Sequence, residues 1–554
     1  MKIKIVGFVF LFLSITKPVA AQLKFVVEDF EGFADGSSDM KMNGVFTFGN
    51  CKAYIEHDET IQRPGAGPDY LEKKSLTIKR SGNENFAGWG KGIGLNIELD
   101  ATQDYFNFYV HQYAQNGITN VKIEIQEDDN DNNIYEKEFD DSWVFSYAIK
   151  NIAMPGWQLV SIPLSKFEDD NLGGDEVFDC NYKNGKLFCI IMSFTDTIRP
   201  VKAEQIWYFD FICFSKGALQ VESNPIHIDT QGAFCNLGLW SSEGNKSDFT
   251  DIPGDFENLF KTDSVKKLGV IHFFQPFSVD GSDKQNNYPS ADRINKIVHD
   301  GYIPMITLEN HFVNTNSKVK QPNLYSITQG YMDNFFINWA KQIKKIEGIV
   351  LIRILHEFNG NWYPWCTANN DKNPELVIKA FRHIHDIFKE EQVTNVRFIW
   401  CPNSMSVPQE KWNFIMNAYP GNDYVDYVGM DIYNGAGQKF SLWRSFRKEG
   451  MENYFTLTEN LPDKPLFVCE AASREREGSE STTGQTKAEW ILEMTRALKT
   501  DMSKIKLLTW FNEKATFRIN SSLESKDAFL NYILKDDYFK TGTKYLIPFF
   551  NKEN

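Results

Sequence analysis

The stretch Val350-Leu-Ile-Arg-Ile-Leu-His-Glu357 is a mostly apolar run that ends in two polar residues. A near-continuous apolar run of this length is typical of a strand that is buried on both faces, as in a parallel sheet covered by helices. Comparable runs recur on both sides of it, and stretches with the 3.6-residue periodicity of helices separate them. From about residue 218 onward, this alternation predicts a parallel α/β architecture.

The number of such runs distinguishes between the common parallel architectures. We count eight candidate strands, at residues 233–240, 268–274, 303–309, 350–357, 396–402, 427–433, 466–471 and 505–511. The clearest helical patterns cover residues 331–346, 487–498 and 526–534. Eight βα units predict a (β/α)8 TIM barrel over residues 217–554. A doubly wound open sheet is the alternative, although no G-x-G-x-x-G follows the first strand.

The first half of the chain has a different texture. Residues 22–216 contain short strand patterns bounded by turn residues, at 24–27, 75–79, 105–110, 121–126, 157–163, 187–192 and 205–214. Because no helical periodicity accompanies them, we predict a β-sandwich that precedes the barrel.

The first residues have the pattern of an export signal. Lys2 and Lys4 precede an apolar run at residues 5–15, and the small residues Ala20 and Ala21 follow it. We therefore predict a signal peptide at residues 1–21 and a periplasmic or extracellular protein. The apolar run is shorter than the ~20 residues of a membrane span, so we expect no membrane insertion. A retained anchor is the alternative.

Composition narrows the range of partners. The formal net charge is −15, and such a surface repels phosphate backbones, so we expect no nucleic-acid partner. Aromatic residues make up 14% of the chain, and their flat apolar rings stack well on sugar faces. A polysaccharide partner is therefore favoured. We expect the protein to be a monomer.

Three carboxylates lie where the active site of a barrel is built, at the carboxyl ends of strands. Glu357 ends the fourth predicted strand, Asp431 lies near the end of the sixth, and Glu470 ends the apolar part of the seventh. Strands four and seven face each other across the mouth of an eight-stranded barrel. A facing pair of carboxylates is what retaining glycoside hydrolysis requires, one as acid and base and the other as nucleophile.

The residues around Glu357 carry a family resemblance. The run from Arg353 to Trp362 is similar to the Arg-x-x-His-Glu-Met-Asn-Gly-x-Trp pattern of glycoside hydrolase family twenty-six, with Phe358 in place of Met. Further similar positions are Asp431-Ile-Tyr433, Glu470 and Trp510. The resemblance covers about residues 230–545.

The resemblance implies a role for each matching residue. It makes Glu357 the acid/base and Glu470 the nucleophile of a retaining endo-β-glycanase. It implies that four residues contact sugar: His356, Trp362, Tyr433 and Trp510. It also implies that Arg353 and Asp431 orient the site around the substrate. Two alternatives stay open: Trp510 could fill the barrel, and Arg353 could form an internal ion pair with Asp431. The competing class of protein is a non-catalytic polysaccharide-binding protein on the same barrel.

Substrate and metal requirements are less constrained. The family acts on β-1,4-mannan, mixed-linkage β-1,3-1,4-glucan or β-1,3-xylan. The runs 272–277 and 307–312 fit the usual mannanase pattern poorly, which argues against mannan, and the choice among the three substrates stays open. We expect no cofactor for catalysis. His272, Glu309 and His311 do not share an obvious facing direction, so we expect no metal in the active site.

The amino-terminal half is similar to the jelly-roll carbohydrate-binding modules that accompany β-glucanases. The similarity rests on Glu28-Asp-Phe-Glu31, Gly88-Trp-Gly90, the run 156–164 and Phe209-Asp-Phe-Ile212. It makes Glu31 and Asp210 candidate ligands of a structural Ca²⁺. We expect this module to serve adhesion to the polysaccharide.

A disulfide is predicted from hairpin register. Asn184-Gly185 is a favoured centre for a two-residue type I′ turn, which would pair Cys180 with Cys189 in a non-hydrogen-bonded position. The Cα separation at such a position, about 4.5 Å, is just within the span of a disulfide. Two reduced thiols on a slipped or longer loop are the alternative. The other six cysteines have no predicted partner.

Overall fold

The fold is taken from a computed structural model of the chain. It describes residues 21–33, 36–38, 43–57, 74–81, 86–112, 119–149, 156–170, 173–195, 204–219, 234–241, 249–260, 268–278, 288–312, 322–435, 442–476, 485–513, 517–540 and 546. The predicted signal peptide, apart from Ala21, lies outside the described residues. Within them, no helix combines the length and the apolar character needed to cross a bilayer.

The first half forms twelve strands. They are β1 (Gln22–Glu28), β2 (Val45–Phe48), β3 (Cys51–His57), β4 (Lys74–Arg80), β5 (Ala87–Leu95), β6 (Asp104–Gln112), β7 (Thr119–Asp128), β8 (Ser142–Ile149), β9 (Gln158–Pro163), β10 (Glu168–Asp169), β11 (Lys186–Phe194) and β12 (Gln205–Lys216). One sheet has the order β3-β4-β12-β6-β9, with β1 paired to β12, and the other has the order β10-β8-β7-β11-β5-β2. All pairings are antiparallel, and one apolar core fills the space between the sheets, so the predicted β-sandwich is confirmed.

The second half contains eight strands in a closed parallel sheet. They are β13 (Cys235–Ser241), β14 (Val270–Ser278), β15 (Ile303–Phe312), β16 (Val350–Ile354), β17 (Val396–Trp400), β18 (Tyr427–Asn434), β19 (Leu466–Ser473) and β20 (Ile505–Asn512). The strands follow one another in chain order, and β13 pairs with both β14 and β20, which closes the barrel. A short strand, β21 (Phe539–Lys540), adds to the amino-terminal end of β13. The predicted TIM barrel is confirmed, and the open-sheet alternative is excluded.

Helices cover the barrel. They are α1 (Ile252–Phe260), α2 (Ala291–His299), α3 (Leu324–Thr328), α4 (Asp333–Ile343), α5 (Pro374–Glu390), α6 (Phe446–Asn460), α7 (Lys487–Lys499) and α8 (Leu523–Phe529). A single π-helical turn, Leu530–Leu534, continues α8. Short 3₁₀ turns lie at Leu164–Lys166, Phe249–Asp251, Thr367–Asn369, Lys411–Asn413 and Ile415–Ala418. Sequence sets the start of α7, because Thr486 and Glu489 form a reciprocal capping box there.

The sandwich packs directly on the barrel through β1 and α6. The buried carboxylate of Glu28 lies between Lys91 of the sandwich, at 2.7 Å, and Lys448 of the barrel. Next to it, the Ser445 hydroxyl donates a hydrogen bond to Asp29. A buried ion pair of this kind fixes the relative position of two surfaces, because an uncompensated charge there is costly.

The predicted Cys180–Cys189 disulfide is wrong, since the structure has both cysteines as free thiols. The segment before the turn does not become the hairpin partner of β11. Instead, Cys180 bridges to Gly185, while Cys189 on β11 pairs with Gly92 of β5 and Gln126 of β7. A central strand with two long neighbours has no free edge for the segment of Cys180.

Candidate active site

Glu357 is placed by a sharp turn at the end of β16. The strand ends at Ile354 rather than at residue 357, because Leu355 and Glu357 both adopt positive φ angles, of 51° each. This conformation is uncommon for residues with a side chain and is frequent at functional sites. The backbone N–H of Glu357 donates to the Cys401 carbonyl at 2.8 Å, which ties the turn to the end of β17.

Two donors hold the Glu357 carboxyl group. The Asn403 amide donates to Oε1 at 2.7 Å, and the Trp362 indole donates to Oε2 at 2.8 Å. Burial raises the pKa of Glu357 above its usual range, while these two hydrogen bonds and the Arg353 charge partly offset that rise. A carboxyl group in this environment is suited to carry and release a proton.

Glu470 lies on β19 in a very different environment. The Arg353 guanidinium and the Tyr433 hydroxyl each donate to one of its oxygens. Burial raises the pKa of Tyr433 well above its usual range, so the phenol keeps its proton and acts as a donor. A cation and a hydroxyl donor together stabilise the ionised form of Glu470.

Arg353 connects the strands beneath the site. One terminal nitrogen donates to both Asp431 oxygens, at 2.7 and 2.6 Å, and the Nε–H donates to Thr307 at 2.8 Å. Burial alone would lower the pKa of Arg353, but the Asp431 charge outweighs it and keeps the guanidinium charged. The ion-pair alternative for Arg353 and Asp431 is thus observed. Both are fully buried, so they support Glu470 instead of contacting a substrate.

The aromatic residues divide into an exposed and a buried set. Trp362 is 44% exposed beside Glu357, as a sugar-stacking ring must be. His356 is instead 1% exposed, and its ring packs against Tyr363 and Trp365 at centroid distances of 4.8 and 5.5 Å. The expected direct contact of His356 with sugar is therefore corrected to a packing position behind Tyr363.

Trp510 does not reach the mouth of the barrel. It is 1% exposed, donates its indole N–H to the Phe517 carbonyl, and packs against Trp490 of α7 and Phe529 of α8. The expectation that Trp510 contacts sugar is wrong, because it faces the helix layer. Its neighbour Phe511 points the other way and makes an edge-to-face contact with Tyr433, at a centroid distance of 5.5 Å.

Asn403 is a site residue that the sequence reasoning missed. It follows the apolar run at 396–402, on the fifth strand, just as Glu357 follows the fourth. The rule that selected the carboxylates would therefore have selected Asn403 if amide side chains had been included. Glu309, on β15, is also present near the site, and burial raises its pKa to about 7.

The structure describes only some of the side chains that were considered as metal ligands. His272 is buried and hydrogen-bonds Thr307 at 2.7 Å, while the side chain of His311 lies outside the described residues. The Glu31 carboxylate accepts from the Lys74 backbone at 2.8 Å, and burial followed by the nearby Asp210 charge raises the pKa of Glu31. The Ca²⁺ site at Glu31 and Asp210 stays a prediction.

The chain is similar in sequence to known proteins. Residues 320–460 match the sequence model of Glycosyl hydrolase family 26. Endoglucanase H of Acetivibrio thermocellus is 33% identical over 299 residues, which are 53% of this chain and 29% of that protein. A mannan endo-1,4-beta-mannosidase of Bacillus subtilis is 32% identical over 97 residues, 17% of this chain and 25% of that protein. The chain thus spans less than a third of the length of these curated relatives.

Among solved structures, the Podospora anserina GH26-CBM35 beta-(1,4)-mannanase is 12% identical and covers 92% of this chain and 100% of its own, with a TM-score of 0.40. A likeness at this TM-score carries no information about function. The sequence match is the stronger finding, and it contains Glu357, Asn403 and Asp431. The central part of the barrel, residues 320–460, is therefore similar in sequence to glycosyl hydrolase family 26.

Proposed function

We propose that the protein is a retaining endo-β-glycanase in which Glu357 is the acid/base and Glu470 is the nucleophile. The observation that carries the proposal is the contrast between the two carboxyl groups at one barrel mouth. Burial favours the protonated form of Glu357, whereas Arg353 and Tyr433 favour the ionised form of Glu470. Acid and nucleophile roles need this division of protonation states.

The proposed reaction has two steps. In the first, the Glu470 carboxylate attacks the anomeric carbon while Glu357 donates its proton to the departing glycosidic oxygen, so the glycosidic bond breaks and a glycosyl ester forms. In the second, Glu357 removes a proton from a water molecule, the water oxygen attacks the anomeric carbon, and the ester bond breaks. Two inversions leave the anomeric configuration retained.

The surrounding residues support these steps by position. Asn403 and Trp362 each hold one oxygen of Glu357, which limits the rotation of the carboxyl group. Arg353 and Tyr433 hold the two oxygens of Glu470 in the same way. Fixing both groups before substrate arrives reduces the entropic cost of reaching the transition state.

For the substrate, we propose mixed-linkage β-1,3-1,4-glucan first and β-1,4-mannan second. The match to a protein named an endoglucanase extends over 299 residues, whereas the match to a protein named a mannan endo-1,4-beta-mannosidase extends over 97. The runs on strands two and three also depart from the mannanase pattern, and their His272 is buried instead of facing the cleft. β-1,3-Xylan is the remaining family substrate.

The decisive experiment combines a substrate panel with stereochemistry. Release of reducing ends from mixed-linkage glucan, mannan, β-1,3-xylan and cellulose identifies the substrate, and proton NMR of the first product identifies the anomer. We expect retention. Inversion would refute the mechanism, and binding without release from any polysaccharide would favour the non-catalytic alternative.

Variants assign the two roles. Glu470→Ala should abolish turnover, whereas Glu357→Ala should be slowest on substrates with poor leaving groups and be partly rescued by azide, which replaces the nucleophilic water. Glu347→Gln, an exposed acid on the loop before β16, is the matched control and should keep full activity. Azide rescue of Glu470→Ala with retained configuration would contradict the assignment.

We further propose export of the protein and adhesion of the sandwich to the polysaccharide. The basic and apolar pattern of residues 1–21 supports the first proposal, and the aromatic content of residues 22–216 supports the second. Amino-terminal sequencing of protein recovered outside the cytoplasm tests export, with Gln22 expected as the first residue. A pull-down of the catalytically inactive Glu470→Ala full chain on insoluble polysaccharide tests adhesion.

A further inference from the structure

Three acids of the sandwich converge at one point. Glu127 near the end of β7, Asp129 just after it and Asp141 just before β8 each present one carboxylate oxygen, and these oxygens lie within 4.8 Å of one another. We call these three residues the acidic-loop site. Glu127 and Asp141 are fully buried. Three like charges in so small a buried volume repel strongly unless a cation joins them.

Asp141 is the residue that points to a ligand at this site. Its carboxylate is 0% exposed, and neither oxygen has a hydrogen-bond partner. The backbone amides of Asp175 and Val177 face it and lower its pKa, but they lie outside hydrogen-bond geometry. A buried carboxylate without a partner is strongly destabilising. An ordinary acidic turn gives no reason to bury this group.

The other two acids are already oriented by hydrogen bonds from neighbouring groups. The Glu127 carboxylate accepts hydrogen bonds from the Trp143 indole and from the Asp179 backbone, and Asp129 accepts one from the Asp141 backbone at 2.8 Å. Burial, followed by neighbouring charges, raises the pKa of Asp129 to about 7 and that of Asp141 to about 6.

Nearby cations do not supply a counterion. Lys186 forms its ion pair with Asp131 at 2.5 Å, and Lys411 lies 3.9 Å from the same residue. Among the described residues, neither lysine forms an ion pair with an acid of the acidic-loop site. Gly174 closes the other side, because a Cβ there would lie 1.8 Å from the Asp141 carboxylate. The pocket therefore admits nothing as large as a lysine head group from that direction.

We propose that the acidic-loop site binds one Ca²⁺ ion. Ca²⁺ takes carboxylate oxygens at about 2.3–2.6 Å in flexible geometry, so two of its ligands can lie up to about 5 Å apart, which matches the observed spacing. Water molecules and backbone carbonyls can complete the shell. The site is distinct from Glu31 and Asp210, which lie on β1's side of the sandwich and on β12.

A bound ion would also brace the contact between sandwich and barrel. Glu127 accepts from the backbone of Asp179, and the turn that follows carries Tyr182. The Tyr182 ring stacks on Phe414 of the barrel at a centroid distance of 3.7 Å, and its hydroxyl donates to Glu452. The ion therefore stabilises the segment through which the sandwich reaches the barrel, so calcium should raise the stability of the whole chain.

Terbium luminescence offers a direct test on the full mature chain. Tb³⁺ replaces Ca²⁺ in oxygen sites, and the Trp143 indole beside Glu127 can transfer energy to it. After chelation of metals, we expect luminescence on indole excitation, its loss on adding excess Ca²⁺, and a higher unfolding midpoint with Ca²⁺. Trp143→Phe should lose the luminescence, because the indole that transfers the energy is gone.

Asp141→Asn is the decisive variant, because it keeps the shape and removes one charge. In chelator it should be more stable than wild type, since repulsion is relieved, and it should lose the luminescence and the thermal response to Ca²⁺. Asp170→Asn, an exposed acid of the same module, and Glu31→Gln should keep both. No Ca²⁺-dependent midpoint shift in wild type, or an equal shift in Asp141→Asn, would overturn the proposal.

Discussion

The Asn403 amide donates a 2.7 Å hydrogen bond to the same Glu357 carboxyl group that burial keeps at a raised pKa. Asn403 itself is held by Asn359, which accepts from the Asn403 backbone at 2.8 Å and donates to its carbonyl at 3.1 Å. The loop after β17 and the loop after β16 are thereby locked together around the acid. Asn403 is a positioning residue for Glu357.

Asn403→Ala should shift the pH profile to higher pH. The hydrogen bond favours the ionised form of Glu357, so its removal raises the pKa further, by about one unit if the bond contributes about 1.5 kcal/mol. The basic limb of kcat/KM, which reports the acid, should move up by that amount. We also expect kcat to fall about 10- to 100-fold, because the carboxyl group loses its orientation.

The control for this prediction is Asn417→Ala, an exposed amide on the same loop. It should leave the profile unchanged. A fall in kcat of Asn403→Ala without movement of the basic limb would indicate that Asn403 acts on the loop alone and not on the charge of Glu357.

Replacing Arg353 should affect catalysis and stability together. Arg353→Ala would leave Asp431 and Glu470 as buried carboxylates without a cation, which costs about 3–5 kcal/mol in comparable cases. Arg353→Lys keeps the charge but cannot serve both acids with a planar fork, so it should retain more stability than activity. Chemical unfolding and kcat measured on both variants check this. Equal stability of wild type and Arg353→Ala would contradict the ion-pair account.

Variants of Trp362 and of Trp510 should differ in their effects on KM and on stability, because the two rings lie in different places. Trp362→Ala removes an exposed ring beside the acid and should raise KM about tenfold, the effect of losing about 1.4 kcal/mol of stacking. Trp510→Phe lies in the helix layer and should lower the free energy of unfolding by about 1–3 kcal/mol while KM stays unchanged. A raised KM in Trp510→Phe would restore it to the substrate site.

The barrel could be predicted from the sequence because each of its strands is recognisable from its own residues. Each strand is an apolar run, and the count of eight selects the closed sheet. The same logic placed Glu357 and Glu470 at strand ends. The sequence could not show whether the Trp510 side chain faces the barrel interior or the helix layer. The pairing of β19 with β20 contains register shifts, so the alternation of side chains between the two faces no longer follows from the sequence.

The disulfide prediction failed for a related reason. The rule for the Asn184-Gly185 turn applies to two strands in isolation. In the structure, β11 pairs with β5 on one edge and with β7 on the other. Tertiary pairing therefore overrides the local turn preference. The acidic-loop site was equally out of reach, since its residues Asp129 and Asp141 come together only when β7 and β8 pair around the loop between them.

The ion pair between the two modules should make stability depend on pH in acid. Burial raises the pKa of Glu28, but Lys448 and then Lys91 outweigh it and lower the pKa from 4.5 to about 2. A lowered folded-state pKa means that the stabilisation is complete above pH 4.5 and disappears as the pH falls toward 2. A shift of this size corresponds to about 3 kcal/mol.

Glu28→Gln leaves Lys91 and Lys448 facing an uncharged amide, so it should unfold earlier at neutral pH and show a flatter stability curve between pH 4.5 and 2. Thermal unfolding of both chains across this range measures the difference, with Glu56→Gln, an acid paired to Lys79 at the surface, as the control. Parallel curves for wild type and Glu28→Gln would show that the buried carboxylate does not hold the sandwich on the barrel.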